Sequence, residues 1–173
     1  MSDILLKTAT GTTKRYTAQE IPDLKKDATF ITAEITRGTY IFMEYKDFDQ
    51  ACVGESKVLA DKSQVHDISN VNGSFYCLPD VDKGIVLFTH GRFRGNHQFY
   101  EDSSGDITNE FPPGEGKGVS SCILMSQDEP FELWTGKGYQ GLKKSVKMEA
   151  GDPIDKYAFL DDFNDKTSSL RKI

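Results

Sequence analysis

Two aromatic residues five apart, with a glycine two places on, occur twice in this chain at a fixed interval. Phe88 and Phe93 precede Gly95, and 46 residues further on Trp134 and Tyr139 precede Gly141. A serine-plus-apolar stretch steps with them: Gly73-Ser74-Phe75-Tyr76, Ser120-Ser121-Cys122-Ile123 and Ser168-Ser169-Leu170-Arg171, at intervals of 47 and 48 residues. Two markers moving together point to one supersecondary unit used repeatedly. Met43 and Phe48 form a weaker copy, 45 residues before Phe88 and Phe93. Counting back once more places a first motif at the N-terminus, opened by Ile4-Leu5-Leu6 and closed by Ala28-Thr29-Phe30-Ile31. Its middle, Thr8 to Thr13, has Gly11 but no aromatic. Four motifs of ~43 residues fill the chain.

Each motif reads as strands. Ile85-Val86-Leu87-Phe88, Cys122-Ile123-Leu124-Met125 and Phe131-Glu132-Leu133-Trp134 are short β-rich segments between Gly, Asp, Asn and Pro clusters, the pattern of sandwich strands. The best helical candidates, Ala18 to Lys26 and Pro153 to Leu160, are one or two turns long, and Pro22 interrupts the first. The expected class is all-β. Glycine is uneven, 4 in residues 1–82 against 11 in residues 83–173, and the change falls at the polar stretch Pro79 to Gly84. One ~43-residue motif is too small to hold a core. Pairing the motifs therefore gives two domains, 1–82 and 83–173.

Composition removes whole classes of function. Lys and Arg total 21 against 27 Asp and Glu, a net charge of −6, and no basic cluster exceeds a pair, so there is no footprint for a nucleic-acid backbone. No apolar run reaches ~18 residues, so no membrane span is expected. The N-terminal Met1-Ser2-Asp3 is unlike a signal peptide. The three cysteines, Cys52, Cys77 and Cys122, have neither metal-site nor disulfide-framework spacing. A cytoplasmic location is expected, with the cysteines as small buried hydrophobes.

The pattern aromatic-x4-aromatic-x-Gly, followed about thirty residues later by Asn-Asp-x-x-Ser-Ser, resembles the Greek-key motif of the βγ-crystallin superfamily. Trp134, Tyr139 and Gly141 with Asn164-Asp165-Lys166-Thr167-Ser168-Ser169 match at every defining position. Phe88, Phe93 and Gly95 with Ser120-Ser121 match except at the acidic pair. The resemblance covers residues 83–173 strongly and residues 1–82 mainly through spacing. It implies two Greek-key β-sandwich domains of two motifs each. An aromatic at each end of a tight hairpin lets the two rings pack across it, and Gly95 and Gly141 supply a backbone conformation that a Cβ opposes.

Asn164 to Ser169 offers a carboxylate, a backbone carbonyl and a hydroxyl within a few residues. Calcium takes six to eight such oxygens, but a solvated acidic turn has the same composition. The resemblance decides for calcium, in sites between the two motifs of a domain. Carried over by position, it implies ligation by the Asp165 side chain, the Lys166 carbonyl and the Ser168 hydroxyl, with carbonyls from Thr89 and Thr135. In the third motif the aligned run is Gly116-Lys117-Gly118-Val119-Ser120-Ser121, offering the Gly118 carbonyl and the Ser120 hydroxyl. Lys117 stands where the family has a carboxylate or amide and cannot ligate, so one site is expected and the other is weak or lost. The aligned runs in residues 1–82 lack the hydroxyl, and shifting them by one restores Ser74 or Thr29 but puts Val71 or Lys26 at the acidic position, so the resemblance does not decide for calcium binding there.

Enzymatic constellations are poor. His66, His90 and His97 accompany no nucleophile elbow or zinc-protease motif. Gly114 to Gly118 lacks the phosphate-loop spacing and a following helix. The expectation is a non-enzymatic structural protein, monomer or weak homodimer, that binds calcium in residues 83–173 and is stabilised by it. The alternative is a calcium-independent module binding protein or glycan, with Phe99-Tyr100 or Phe111-Pro112-Pro113 as contact candidates.

Overall fold

Short β-rich segments form fourteen strands among the described residues, some alternating toward a core, as Asp3–Thr8 does, and some buried throughout, as Tyr40–Met43, Ser74–Cys77 and Ser121–Leu124 are. The computed structural model describes residues 3–18, 20–50, 53–60, 64–81, 83–114, 116–154 and 156–173. The chain divides into two compact units, Met1–Asp80 and Val81–Ile173. The architecture is all-β, as expected.

The N-terminal unit contains β1 (Asp3–Thr8), β2 (Thr13–Tyr16), β3 (Glu20–Ile21), β4 (Phe30–Arg37), β5 (Tyr40–Met43), β6 (Ser56–Leu59), β7 (Val65–Asp67) and β8 (Ser74–Cys77). They form two antiparallel sheets, ordered β2-β1-β4-β7 and β3-β8-β5-β6. The first motif sends β3 to pair with β8 of the second, and the second sends β7 to pair with β4 of the first. This exchange is the Greek key, and it leaves neither motif with a sheet of its own.

The C-terminal unit contains β9 (Ile85–His90), β10 (Arg94–Tyr100), β11 (Ser121–Leu124), β12 (Phe131–Gly136), β13 (Gln140–Val146) and β14 (Ser169–Lys172), in sheets β10-β9-β11 and β13-β12-β14. Here the exchange uses short stretches. Ser104 and Leu170 trade backbone bonds of 2.9 and 3.0 Å, and Ile107 N donates to Ser168 O at 3.0 Å. In return, Cys122 N donates to Tyr157 O at 3.1 Å and Leu160 N to Ser120 O at 3.0 Å.

Neither helical candidate is an α-helix. Over 18–26 the described residues give β3 and a single 3-10 turn, Leu24–Lys26, because Leu24 is buried and its N–H donates to Gly73 O at 2.8 Å. Over 153–160 the described residues form turns, which Tyr157 anchors to Cys122 of β11 and Leu160 to Ser120 just before it.

Each unit has its own core. In the first, Phe75 is fully buried with ring centroids 5.8 Å from Tyr16, 5.5 Å from Tyr40 and 5.4 Å from Phe42. In the second, Ile85, Leu87, Phe111, Cys122, Phe131 and Leu133 lie in one cluster. Cys77 and Cys122 are buried and unpaired, and burial pushes both thiols up, away from thiolate chemistry. Cys52 lies outside the described residues. No helix among the described residues is long and apolar enough to cross a membrane.

Candidate metal centre

The two well-marked hairpins of the C-terminal unit share one backbone. Arg92 and Phe93 have φ of 57° and 61°, Gly138 and Tyr139 have 61° and 62°. Gly95 and Gly141 have φ of 80° and 85°, and a Cβ on them would lie 2.3 Å from Thr89 Oγ1 and 2.5 Å from Thr135 Oγ1. Glycine is therefore required twice over, by conformation and by space. Those two threonine hydroxyls accept from Asn96 N and Leu142 N, each at 3.0 Å.

The second serine of each closing run clasps its hairpin. Ser121 Oγ donates to His90 O at 2.6 Å and accepts from Phe93 N at 3.1 Å. Ser169 Oγ donates to Gly136 O at 2.7 Å and accepts from Tyr139 N at 3.2 Å. Ser74 Oγ donates to Tyr45 O at 2.7 Å in the second motif. The ring contact expected across each hairpin occurs in one of the two. Phe88 and Phe93 lie 5.5 Å apart at 60°, whereas Trp134 and Tyr139 make no ring pair among the described residues. Lys143 Nζ sits 5.5 Å over the Trp134 ring. Tyr139 is drawn toward the 103–107 loop, where Gly138 N donates to Gly105 O at 2.7 Å and Lys137 Nζ meets Asp106 Oδ2 at 2.8 Å. The hydrogen bond from Lys137, with those from Thr108, holds the Asp106 carboxyl down at about 2.

With the hairpins placed, the first serine of the third motif faces a loop of the fourth. Ser120 Oγ donates to Thr89 O at 2.7 Å and lies 3.4 Å from Asp165 Oδ1. Asp165 N donates to Val119 O at 2.9 Å, and Gly114 N donates to Asp165 O at 3.2 Å. Gly118 packs against this loop so closely that a Cβ would lie 2.5 Å from Asp165 Cα. Thr89, Gly118, Ser120 and Asp165 are thus brought together, from loops 45 residues or more apart in the case of Ser120 and Asp165.

The other Asp165 oxygen is already committed. Oδ2 accepts from Asn164 Nδ2 at 2.8 Å and from Gly116 N at 3.4 Å, which turns Oδ1 toward Ser120. Position-by-position reading of the sequence did not single out Asn164 or Gly116 for this role. Their signal was available only as adjacency to Asp165 and as a glycine in the facing loop.

Neighbouring oxygens on one calcium, each ~2.3–2.6 Å from the ion in a seven- or eight-fold shell, are themselves ~2.7–3.7 Å apart. The 2.7 and 3.4 Å separations here fall in that range. The donor set is hard, one carboxylate oxygen, one hydroxyl and one carbonyl, which suits calcium over a softer metal. No group of three or more His, Cys, Asp or Glu placed to hold a metal ion occurs among the described residues, so a cation at this cluster would draw on backbone and hydroxyl oxygens beside the Asp165 carboxylate.

At the opposite site the backbone places Ser168 beside Thr135 in the same way, but the side-chain bonds differ among the described residues. Ser168 is buried and its N–H donates to Trp134 O at 2.8 Å, but its hydroxyl makes no bond to Thr135 comparable to that between Ser120 and Thr89. Lys166 Nζ turns away to Asp162 O at 2.7 Å. Lys117 is exposed, with its N–H on Gly114 O at 3.1 Å, and brings no carboxylate.

In the N-terminal unit, Gly73 N on Met43 O at 2.8 Å is the counterpart of Ser120 N on Phe88 O at 2.9 Å. A Cβ on Gly73 would lie 2.3 Å from Glu44 O, so no hydroxyl fits there. Of the alternative contact candidates, Phe111 is 1% exposed and belongs to the core, and Phe99 and Tyr100 are half-buried on β10.

Thr167, next to Ser168, is fully buried and its hydroxyl has no partner among the described residues. Val119 holds the matching place beside Ser120 and is also fully buried. Thr167→Val is expected to stabilise the C-terminal unit by about 1 kcal/mol, because an unsatisfied buried hydroxyl is removed. Denaturant unfolding of the variant checks it.

Compared along its full length, the structure superposes on that of geodin, a βγ-crystallin from Geodia cydonium, with a TM-score of 0.81 over 99% of both chains at 20% identity. The chain has the βγ-crystallin fold. A βγ-crystallin from Ciona intestinalis aligns over 52% of this chain and 99% of its own at 21% identity, with a TM-score of 0.42. The fifth crystallin domain of the non-lens protein Absent in melanoma 1 aligns over 54% of this chain and 91% of its own, at 20% identity and a TM-score of 0.40. No family model and no curated protein sequence matches the chain.

Proposed function

We propose that this βγ-crystallin-fold protein is a structural, non-catalytic protein whose C-terminal unit binds one calcium ion and gains stability from it. The reading is carried by one observation, the convergence of Thr89 O, Ser120 Oγ and Asp165 Oδ1 from two motifs. Asp165 supplies the negative charge, and Gly116 and Asn164 orient it. Gly118, packed on Asp165, is the next carbonyl within the loop. The hydrogen of Ser120 turns from Thr89 O when both oxygens face a cation. An ion held between two motifs that are otherwise bonded through short stretches crosslinks them, which opposes unfolding without a change of shape. The protein acts in the cytoplasm as a monomer or weak homodimer.

Calorimetric titration of chelator-treated protein is expected to show saturable binding of one ion per chain, lost in Asp165→Ala. Heat without saturation, or none, would remove the calcium function. The opposite site, where Lys117 stands in place of a carboxylate, gives a converse experiment. Lys117→Asp restores a carboxylate opposite Ser168 and Thr135 and is expected to raise the stoichiometry to two.

A further inference from the structure

Asn72-Gly73 is the one Asn-Gly pair in the sequence. In such a pair the glycine nitrogen has no Cβ beside it to hinder attack on the asparagine side chain. Packing holds both residues in place. Asn72 is 6% exposed, and its Nδ2 donates to Phe30 O at 2.9 Å and Ser69 O at 3.1 Å. The bond to Phe30 spans 42 residues and ties the closing run of the second motif to β4 of the first. Gly73 admits no side chain, as its contact with Glu44 O shows. Its N–H donates to Met43 O and its carbonyl accepts from Leu24 N, each at 2.8 Å. The fold thus demands a chemically labile pair at a junction of several segments, and it occupies the two groups that would react.

We propose that Asn72-Gly73 is a latent deamidation site, held off by the folded N-terminal unit, whose modification records opening of that unit. The Gly73 nitrogen, after losing its proton, attacks Asn72 Cγ. The new C–N bond closes a succinimide ring, the Cγ–Nδ2 bond breaks, and Nδ2 leaves with a proton as ammonia. Water then opens the ring at either carbonyl to give aspartate or isoaspartate, so water is the co-reactant and nothing is oxidised or reduced. In the folded unit the Gly73 N–H is committed to Met43 O and the Asn72 amide to two carbonyls, so ring closure requires that these bonds open first. The products do not fit the site. An aspartate carboxylate would face Phe30 O and Ser69 O with no proton to donate. An isoaspartate adds a methylene to the main chain and pulls Gly73 out of register with Met43 and Leu24. Opening is reversible before the reaction and not after it.

The test follows conversion at residue 72 in the full-length protein by peptide mass spectrometry and isoaspartate assay. One sample is kept folded and one in guanidinium, both in mildly alkaline buffer. Conversion is expected to be at least ~100-fold slower in the folded sample, and Leu24→Ala, which loosens the junction, is expected to fall between. Equal rates in the folded and denatured samples would overturn the proposal. A second measurement addresses the product: Asn72→Asp is expected to melt below the unmodified protein, and an unchanged melting temperature would refute the one-way character of the site.

Discussion

Phe75→Ala is expected to destabilise the N-terminal unit by about 3–5 kcal/mol, read as denaturant unfolding with faster amide exchange in β4, β5 and β8. Phe75 is fully buried and sits against Tyr16, Tyr40 and Phe42 at centroid distances of 5.4 to 5.8 Å. Its strand β8 is the central link between β3 and β5. Removing the ring takes away its transfer free energy and its edge contacts, each worth ~0.5–1.5 kcal/mol, and leaves a cavity that four strands cannot close. Phe75→Leu keeps most of the volume and is expected to lose less than half as much. A loss below ~1 kcal/mol for the alanine variant would mean that the neighbouring rings collapse into the space.

Calcium is expected to raise the melting temperature of the C-terminal unit by on the order of 10 °C at a hundredfold excess over the dissociation constant, the equivalent of ~2.7 kcal/mol. Asp165→Ala is expected to abolish that rise, because it removes the one carboxylate of the cluster. Ser120→Ala should reduce it, since Thr89 O and Asp165 Oδ1 remain. In chelator the same two variants should melt within a few degrees of the parent protein, which separates loss of binding from loss of fold. A parent protein whose melting ignores calcium would overturn the proposal.

The hairpins were legible because their constraints are local. Gly95 and Gly141 recur at a fixed distance from an aromatic because a Cβ there would strike the threonine six residues earlier. Both serines of each closing run were visible as a pair, but their different tasks were not. Ser121 and Ser169 turn out to clasp the hairpin, and Ser120 faces a loop from the next motif. The ring pair expected at Trp134 and Tyr139 failed for a reason of the same kind. A loop of another motif, bonded through Gly105 and Asp106, competes for the hairpin tip.

What the sequence determined by itself was the all-β Greek-key fold, the hairpin positions and the oxygen-bearing residues. The strands and hairpins follow from period and sterics within a few residues, and the Greek-key topology and the choice of oxygens from the resemblance to βγ-crystallins. Only the tertiary structure decided that Thr89, Ser120 and Asp165 meet, that Asn164 and Gly116 turn the carboxylate, and that Gly73 leaves no room for a hydroxyl. Each of those depends on packing between segments apart in the chain, and a contact such as that of Ser120 with Asp165, made across 45 residues, leaves no mark in the local pattern at either end.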